Sequence, residues 1–403
     1  MKRSPWIPLV ALALATSGAS AQQDPLEPPD LGRFLRWGPL RARPSLALTN
    51  LGYDNNIYYR TDIPPVGDYT ATVSGKVDGV VLFGRFAFLT FLERIDYTGY
   101  VQNTDQNYWN QFGSGRLTVP FRKLGFYGDF ALNDYKDRPY DKLDSRTDVH
   151  ETRAGGGIIL KLGFRTDAEL GVFRTSWTHT DPNDPTVGQS LDRTERGTRT
   201  QWRYLVFGRT RLTLETSTRD ITFENPATGR NAVQRLILPG VDFGTGGRLS
   251  GSAKLGWGRL DPERADVPDY SGTIGEIKLA YRLGGGTTVL ASGKRDVNFA
   301  IFDQDVYYLG RSYDLRAIHY FGRVWGVEAG GSRSRLDFPV TVDRVDRYRQ
   351  VDAALRLRLM ENDLGRRVEY TFRITRWSLD STPAYDHLDQ SRTVVGFGAV
   401  LGY

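Results

Sequence analysis

The stretch Val351-Asp352-Ala353-Ala354-Leu355-Arg356-Leu357-Arg358-Leu359, followed after a polar break by Arg367-Val368-Glu369-Tyr370-Thr371-Phe372-Arg373-Ile374, decides the fold. Side chains on a β-strand point alternately to opposite faces. Each segment therefore has an apolar face (Val351, Ala353, Leu355, Leu357, Leu359; Val368, Tyr370, Phe372, Ile374) and a polar one bearing Asp352, Arg356, Arg358, Arg367, Glu369, Thr371 and Arg373. Working outward, Leu249-Gly251-Ala253-Leu255-Trp257 alternates with Arg248, Ser250, Ser252 and Lys254. Leu212 and Leu214 likewise alternate with Arg211, Thr213, Glu215, Ser217 and Arg219. Such runs reach about 15 residues, where strands of soluble sandwiches average about five or six. Long strands that are apolar on one side and charged on the other are the material of a transmembrane β-barrel. Closure pairs every backbone group internally, which lipid demands.

Short Gly turns and longer Asp/Pro/Asn loops punctuate the strands. Phe83-Gly84-Arg85, Phe207-Gly208-Arg209 and Phe321-Gly322-Arg323 repeat one tripeptide, with further turns at Arg122-Lys123, Gly163, Gly244–Gly247, Gly284–Gly286 and Glu361-Asn362-Asp363. The unit is about forty residues, which fits hairpins of two long strands better than propeller blades of four short ones. Eight short turns separate nine hairpins, so the chain reads as an all-β, antiparallel up-and-down transmembrane barrel of 18 strands. The number falls to 16 if the poorly alternating segments near Asn107–Pro120 and Gly229–Phe243 are not strands. Even parity puts both termini on the periplasmic side and the longer loops outside. A 15-residue strand tilted ~40° rises roughly 38 Å, more than the lipid band of about 25 Å, so the strands should project beyond the membrane.

Composition agrees. The 403 residues contain no run of about 20 apolar residues, which excludes a helical membrane protein. There is no Cys, which excludes disulfides, thiolate metal sites and Cys nucleophiles. Lys2 and Arg3, the apolar stretch Trp6–Ala15 and the Ala19-Ser20-Ala21 cleavage site read as a secretory signal peptide over residues 1–21. Residues 22–42 read as a periplasmic lead-in with a short helix near Leu31–Trp37, and residues 43–403 as the barrel of a Gram-negative outer membrane. Phe83, Phe121, Phe164, Phe207, Phe243, Phe321 and Tyr403 lie near the short turns, and Tyr97, Tyr135, Trp177, Trp257 and Trp377 about a strand away. Amphipathic rings favour headgroup level, so both sets read as interfacial girdles.

In the last strand Val395, Phe397, Ala399, Leu401 and Tyr403 share a face. Gly398, Leu401 and Tyr403 resemble the C-terminal assembly signal of outer-membrane proteins, although Gly396 stands at its polar position. The resemblance implies delivery to the barrel assembly machinery. The run from Gly38-Pro39-Leu40-Arg41 to Leu51-Gly52-Tyr53-Asp54-Asn55-Asn56 resembles the start of the putative β-barrel porin type 2 family, whose barrels often open with Gly-Tyr-Asp-x-Asn. The likeness extends in rhythm over most of residues 40–403. It implies an association with exopolysaccharide synthesis and export components, and brings no catalytic residues.

No enzymatic chemistry is legible. His150, His179, His319 and His387 have no metal-ligand spacing, and there is no G-x-S-x-G, H-E-x-x-H or P-loop. The histidines read as loop, rim or wall residues. Asp266/Asp269 and Asp303/Asp305 read as solvated loop charge before weak Ca²⁺ ligands, and Asp54-Asn55-Asn56 as an Asx turn. Basic residues follow strand parity rather than clustering, so nucleic acid is no partner, and neither cofactor nor metal is expected. Parity instead turns inward Arg211, Glu215, Arg219, Lys254, Glu276, Lys278, Arg282, Glu328, Asp352, Arg356, Arg358, Arg367, Glu369 and Arg373. Nine of these fourteen are basic, which makes them either a wall of mutual ion pairs or the lining of a net-positive channel. The expected function is a porin-like passive channel for polar solute, exopolysaccharide among the cargoes. The rivals are a structural or adhesive barrel with a closed lumen and an outer-membrane enzyme acting on lipid or polysaccharide.

Overall fold

The computed structural model describes residues 24–32, 34–59, 64–137, 147–180, 190–244, 247–300, 306–341, 344–361, 367–382 and 389–402. The signal segment, His387, Asp303, Asp305 and Tyr403 lie outside them. A three-residue strand β1 (Leu35–Trp37) precedes the barrel strands β2 (Leu40–Asp54), β3 (Asp68–Phe83), β4 (Ala87–Tyr100), β5 (Tyr108–Pro120), β6 (Leu124–Asp137), β7 (Thr147–Lys161), β8 (Thr166–Thr180), β9 (Arg193–Phe207) and β10 (Thr210–Phe223). There follow β11 (Ala232–Phe243), β12 (Leu249–Pro262), β13 (Tyr270–Gly284), β14 (Thr287–Phe299), β15 (Tyr307–Phe321), β16 (Trp325–Asp337), β17 (Val345–Glu361), β18 (Arg367–Ser381) and β19 (Gln390–Gly402). Each barrel strand pairs antiparallel with its neighbours in sequence, and β19 pairs with β2, so 18 strands close on themselves.

The two poorly alternating segments are strands after all, β5 and β11. Glycines and Pro239 blur their periodicity, yet β11 pairs fully with β10 because the neighbouring strand supplies the ladder. The helix expected near Leu31–Trp37 is not formed. Leu35–Trp37 turns back at Gly38 (φ +59°) to pair with Leu40–Ala42. The three Phe-Gly-Arg turns share one cause. Gly84, Gly208 and Gly322 have φ of +60°, +51° and +67°, a left-handed conformation that glycine takes at no steric cost.

The outer face is the apolar one. Leu212, Leu214, Ile237, Leu255, Trp257, Val327, Val351, Leu355, Phe372 and Ile374 are exposed in the isolated chain, as lipid-facing residues are. Glu93 is an exception. Its Oε1 accepts a hydrogen bond from the Gln111 side chain (2.8 Å), and its Oε2 lies over Gly113, which has no side chain to displace it. Phe83, Phe121, Phe164, Phe207 and Phe321 are exposed at the short turns. At the other end Tyr97 packs on the exposed Trp109 (centroids 4.6 Å apart) and Trp257 is exposed. Tyr135, Trp177 and Trp377 depart from the girdle expectation and pack on the inner side, against Phe112, Arg193 and Tyr59 respectively. They sit one residue out of phase with their lipid-facing neighbours, a parity that distance from a turn does not reveal.

At the loop end the β2–β19 seam is locked by Asp54, whose carboxylate accepts from both Nε (2.7 Å) and Nη2 of buried Arg392. The Asx turn is present as expected, with the Asn56 amide donating to Asp54 Oδ1 at 3.1 Å.

Candidate functional site

Charge gathers on the inner face. On β15–β18, Arg316 donates to both Glu328 and Asp352, the second bond being 2.7 Å long. Arg373 spans the same two carboxylates at 2.7 and 2.8 Å. Arg356 reaches from Glu328 to Glu369 (2.8 Å), and Arg367 (2.6 Å) and Arg358 (3.6 Å) complete the set around Glu369. Tyr320 donates its hydroxyl to Glu369 at 2.9 Å, and Arg358 lies over the Tyr320 ring at 3.9 Å. Seven expected inward residues thus meet in one ladder. Its centre, Arg316, was not among them.

Elsewhere Lys254 pairs with Glu215 (3.0 Å), and Arg219 with Glu195 (3.3 Å). Glu276 pairs with Lys278, Arg211 stands opposite Asp242 in the β10–β11 register, and Arg282 is exposed at the short-turn end of β13. A second ladder runs over β5–β9. Arg116 pairs with Glu169 (3.1 Å) and covers the Tyr127 ring at 3.8 Å, while Arg203 bridges Asp167 and Glu169. Arg116, Tyr127 and Glu169, with the Arg153–Asp129 pair, line a recess of about 420 Å³. In an 18-strand ring β7 and β16 are nine places apart, so the two ladders face each other across the interior. The groups that sequence reading missed (Arg316, Arg203 and Arg116 with Glu169, Asp167, Glu195 and Asp242) carry both signs. The excess of positive charge is diluted accordingly.

Both mouths are narrowed. At the loop end Ile221, Phe223, Leu236, Leu260, Tyr270 and Tyr307 belong to one buried apolar cluster, and Arg230, wholly buried, donates to the Ser190 (2.6 Å) and Ala300 carbonyls. At the short-turn end the lead-in crosses beneath the barrel. Asp24 pairs with Lys161 of β7, and Leu26 is buried against Gly125 of β6, several strands away from β2 where the lead-in joins the wall.

Asp266 and Asp269 each have an arginine beside them. Asp266 accepts two hydrogen bonds from Arg264 (3.0 and 2.6 Å), which hold its carboxyl below the usual carboxylate range. Asp269 lies 3.7 Å from Arg259. His150 and His179 pair with Asp134 and Asp192, and His319 with Thr287.

An apolar outer wall closed around a charged interior defines a porin-like β-barrel channel of the outer membrane. The chain belongs to the Putative beta-barrel porin 2 family, whose model matches residues 35–401. No curated protein matches the sequence. Among solved structures it is similar to a BenF-like porin from Pseudomonas fluorescens Pf-5, with 11% identity, 90% of this chain and 99% of that one covered, and a TM-score of 0.50. It is also similar to OccK2 (OpdF) of Pseudomonas aeruginosa, with 14% identity, coverage of 90% and 97%, and a TM-score of 0.48. At such identities the likeness concerns the fold.

Proposed function

We propose that this barrel passes polar, charge-bearing solutes passively across the outer membrane, with its termini in the periplasm and its longer loops outside. The observation that carries the reading is the pair of facing ion-pair ladders. The solvent-reaching members of the ladders, Arg367, Arg373 and Arg116, offer a charged solute successive partners, and the carboxylates behind them support weak rather than strong ion preference. Exopolysaccharide enters as a cargo through the family resemblance, with export components as the corresponding partners and the assembly machinery as the route into the membrane. The apolar cluster and Arg230 favour a second reading, a structural barrel with a closed lumen; they occupy the loop ends of β10–β15 and the loops that Ser190 and Ala300 belong to.

The lead-in supplies a test. Removing residues 24–32 from the mature chain takes away Asp24 and Leu26 from the short-turn mouth. Liposomes carrying the truncated barrel should swell faster in isosmotic sugar than those carrying the whole chain. Equal rates would show that the lead-in does not limit passage, and no swelling with either would favour the closed barrel. Orientation is tested separately. A tag between Asn183 and Asp184 should be reachable on intact cells and one at Gly208 should not, and the reverse pattern would sink the assignment.

A further inference from the structure

The outer face changes character near the loop end of β16–β18. Below, it is apolar: Val327, Leu355, Phe372 and Ile374. One step further along the strands it becomes basic. In the β16–β17 register Arg333 stands directly opposite Arg349, and Arg335 directly opposite Arg347. Arg376 stands opposite lipid-facing Val351 in the β17–β18 register, beside this group. Like charges directly opposite each other on a sheet destabilise it. The acidic groups there only partly compensate: Asp337 pairs with Arg335 (2.6 Å) and Asp380 with Arg349 (3.6 Å). Among the described residues Arg333, Arg347 and Arg376 make no ion pair.

The depth of the group is informative. From Trp325, exposed at the short-turn end, to Arg333 is eight residues. At ~3.3 Å per residue and a tilt of ~40°, that is a rise of roughly 20 Å. That height is near the top of a lipid band of about 25 Å, and the long arginine stems extend from it to carry the guanidinium groups to headgroup level, where charge on the outer wall meets lipid phosphate. Arginine binds phosphate by paired, charge-assisted hydrogen bonds.

From the only half-neutralised like-charged pairs above an apolar wall, we infer that the outer surface of β16–β18 is a binding site for a phosphorylated lipid of the surrounding leaflet. Its phosphates sit among Arg333, Arg349 and Arg376, and its acyl chains lie on Val351, Leu355 and Phe372. With the loops outside, as proposed above, that leaflet is the external one and the ligand is a phosphorylated glycolipid. The inference rests on that orientation only for the choice of leaflet.

The test uses the barrel in phosphatidylcholine nanodiscs, which present both leaflets alike and so read the arginines and not the orientation. The probes are diphosphorylated lipid A, the same glycolipid stripped of phosphate, and inorganic phosphate, with bound lipid counted by native mass spectrometry. Arg333→Gln/Arg349→Gln/Arg376→Gln should bind lipid A roughly a hundredfold more weakly, and the stripped glycolipid unchanged. If the triple variant does not assemble, Arg333→Gln alone should show a several-fold loss. Equal retention by the variant and the parent would overturn the site. Displacement by millimolar inorganic phosphate would instead mark it as a free-anion site and overturn the lipid assignment. Surface labelling of the tagged loop on cells reports the orientation independently.

Discussion

Replacing Arg316 with methionine is expected to destabilise the assembled barrel by about 2–3 kcal/mol. Arg316 is buried and supplies hydrogen bonds to Glu328 and Asp352, which are buried too. Methionine keeps an unbranched apolar stem but leaves both carboxylates short of a donor. Breaking a buried ion pair typically costs about 3–5 kcal/mol. The expectation falls below that range because Arg356 and Arg373 still reach Glu328, and Arg373 still reaches Asp352. Urea unfolding of the barrel in vesicles, followed by its heat-dependent mobility on gels, measures the change. An unmoved midpoint would mean that the ladder is solvated well enough to do without its centre.

Reversing Arg356, Arg358, Arg367 and Arg373 to glutamate together should abolish assembly. From the sequence alone the same change is a test of selectivity, because four inward arginines look like an anion-attracting surface. Their partners alter the expectation. All four contact Glu328, Asp352 or Glu369, so reversal would place seven carboxylates along the ladder. Like charges held that close in a poorly solvated wall cost several kcal/mol in sum. Membrane fractions should contain no heat-modifiable form of the variant. If it assembles normally and only its ion preference inverts, the arginines are channel lining first and structural pairs second.

The difference between these two expectations marks where sequence reading stops. Strand phase was legible because lipid on one side and charge on the other enforce strict alternation, as in Val351–Leu359 and Val368–Ile374. The turns were legible because Gly84, Gly208 and Gly322 must adopt positive φ. Arg316 was missed because β15 breaks the pattern, with Ile318 on its polar face and His319 on its apolar one. Its role also depends on Asp352, two strands away, a contact that alternation within a strand cannot express. The contacts of the lead-in were not legible, because nothing in Asp24 or Leu26 foretells Lys161 and Gly125 as partners. The basic patch on the outer wall was hidden for another reason. Arg333, Arg349 and Arg376 lie on the lipid-facing parity, and only the cross-strand register brings them together beyond the apolar band.

The most direct test of the account is single-channel recording of the purified, full-length mature barrel in a planar bilayer under a salt gradient. A passive channel lined by facing ladders of both signs predicts stable conductance steps with a reversal potential displaced only slightly toward anions. Bilayers that contain the assembled barrel yet show no steps would contradict the open channel and leave the closed structural barrel in its place.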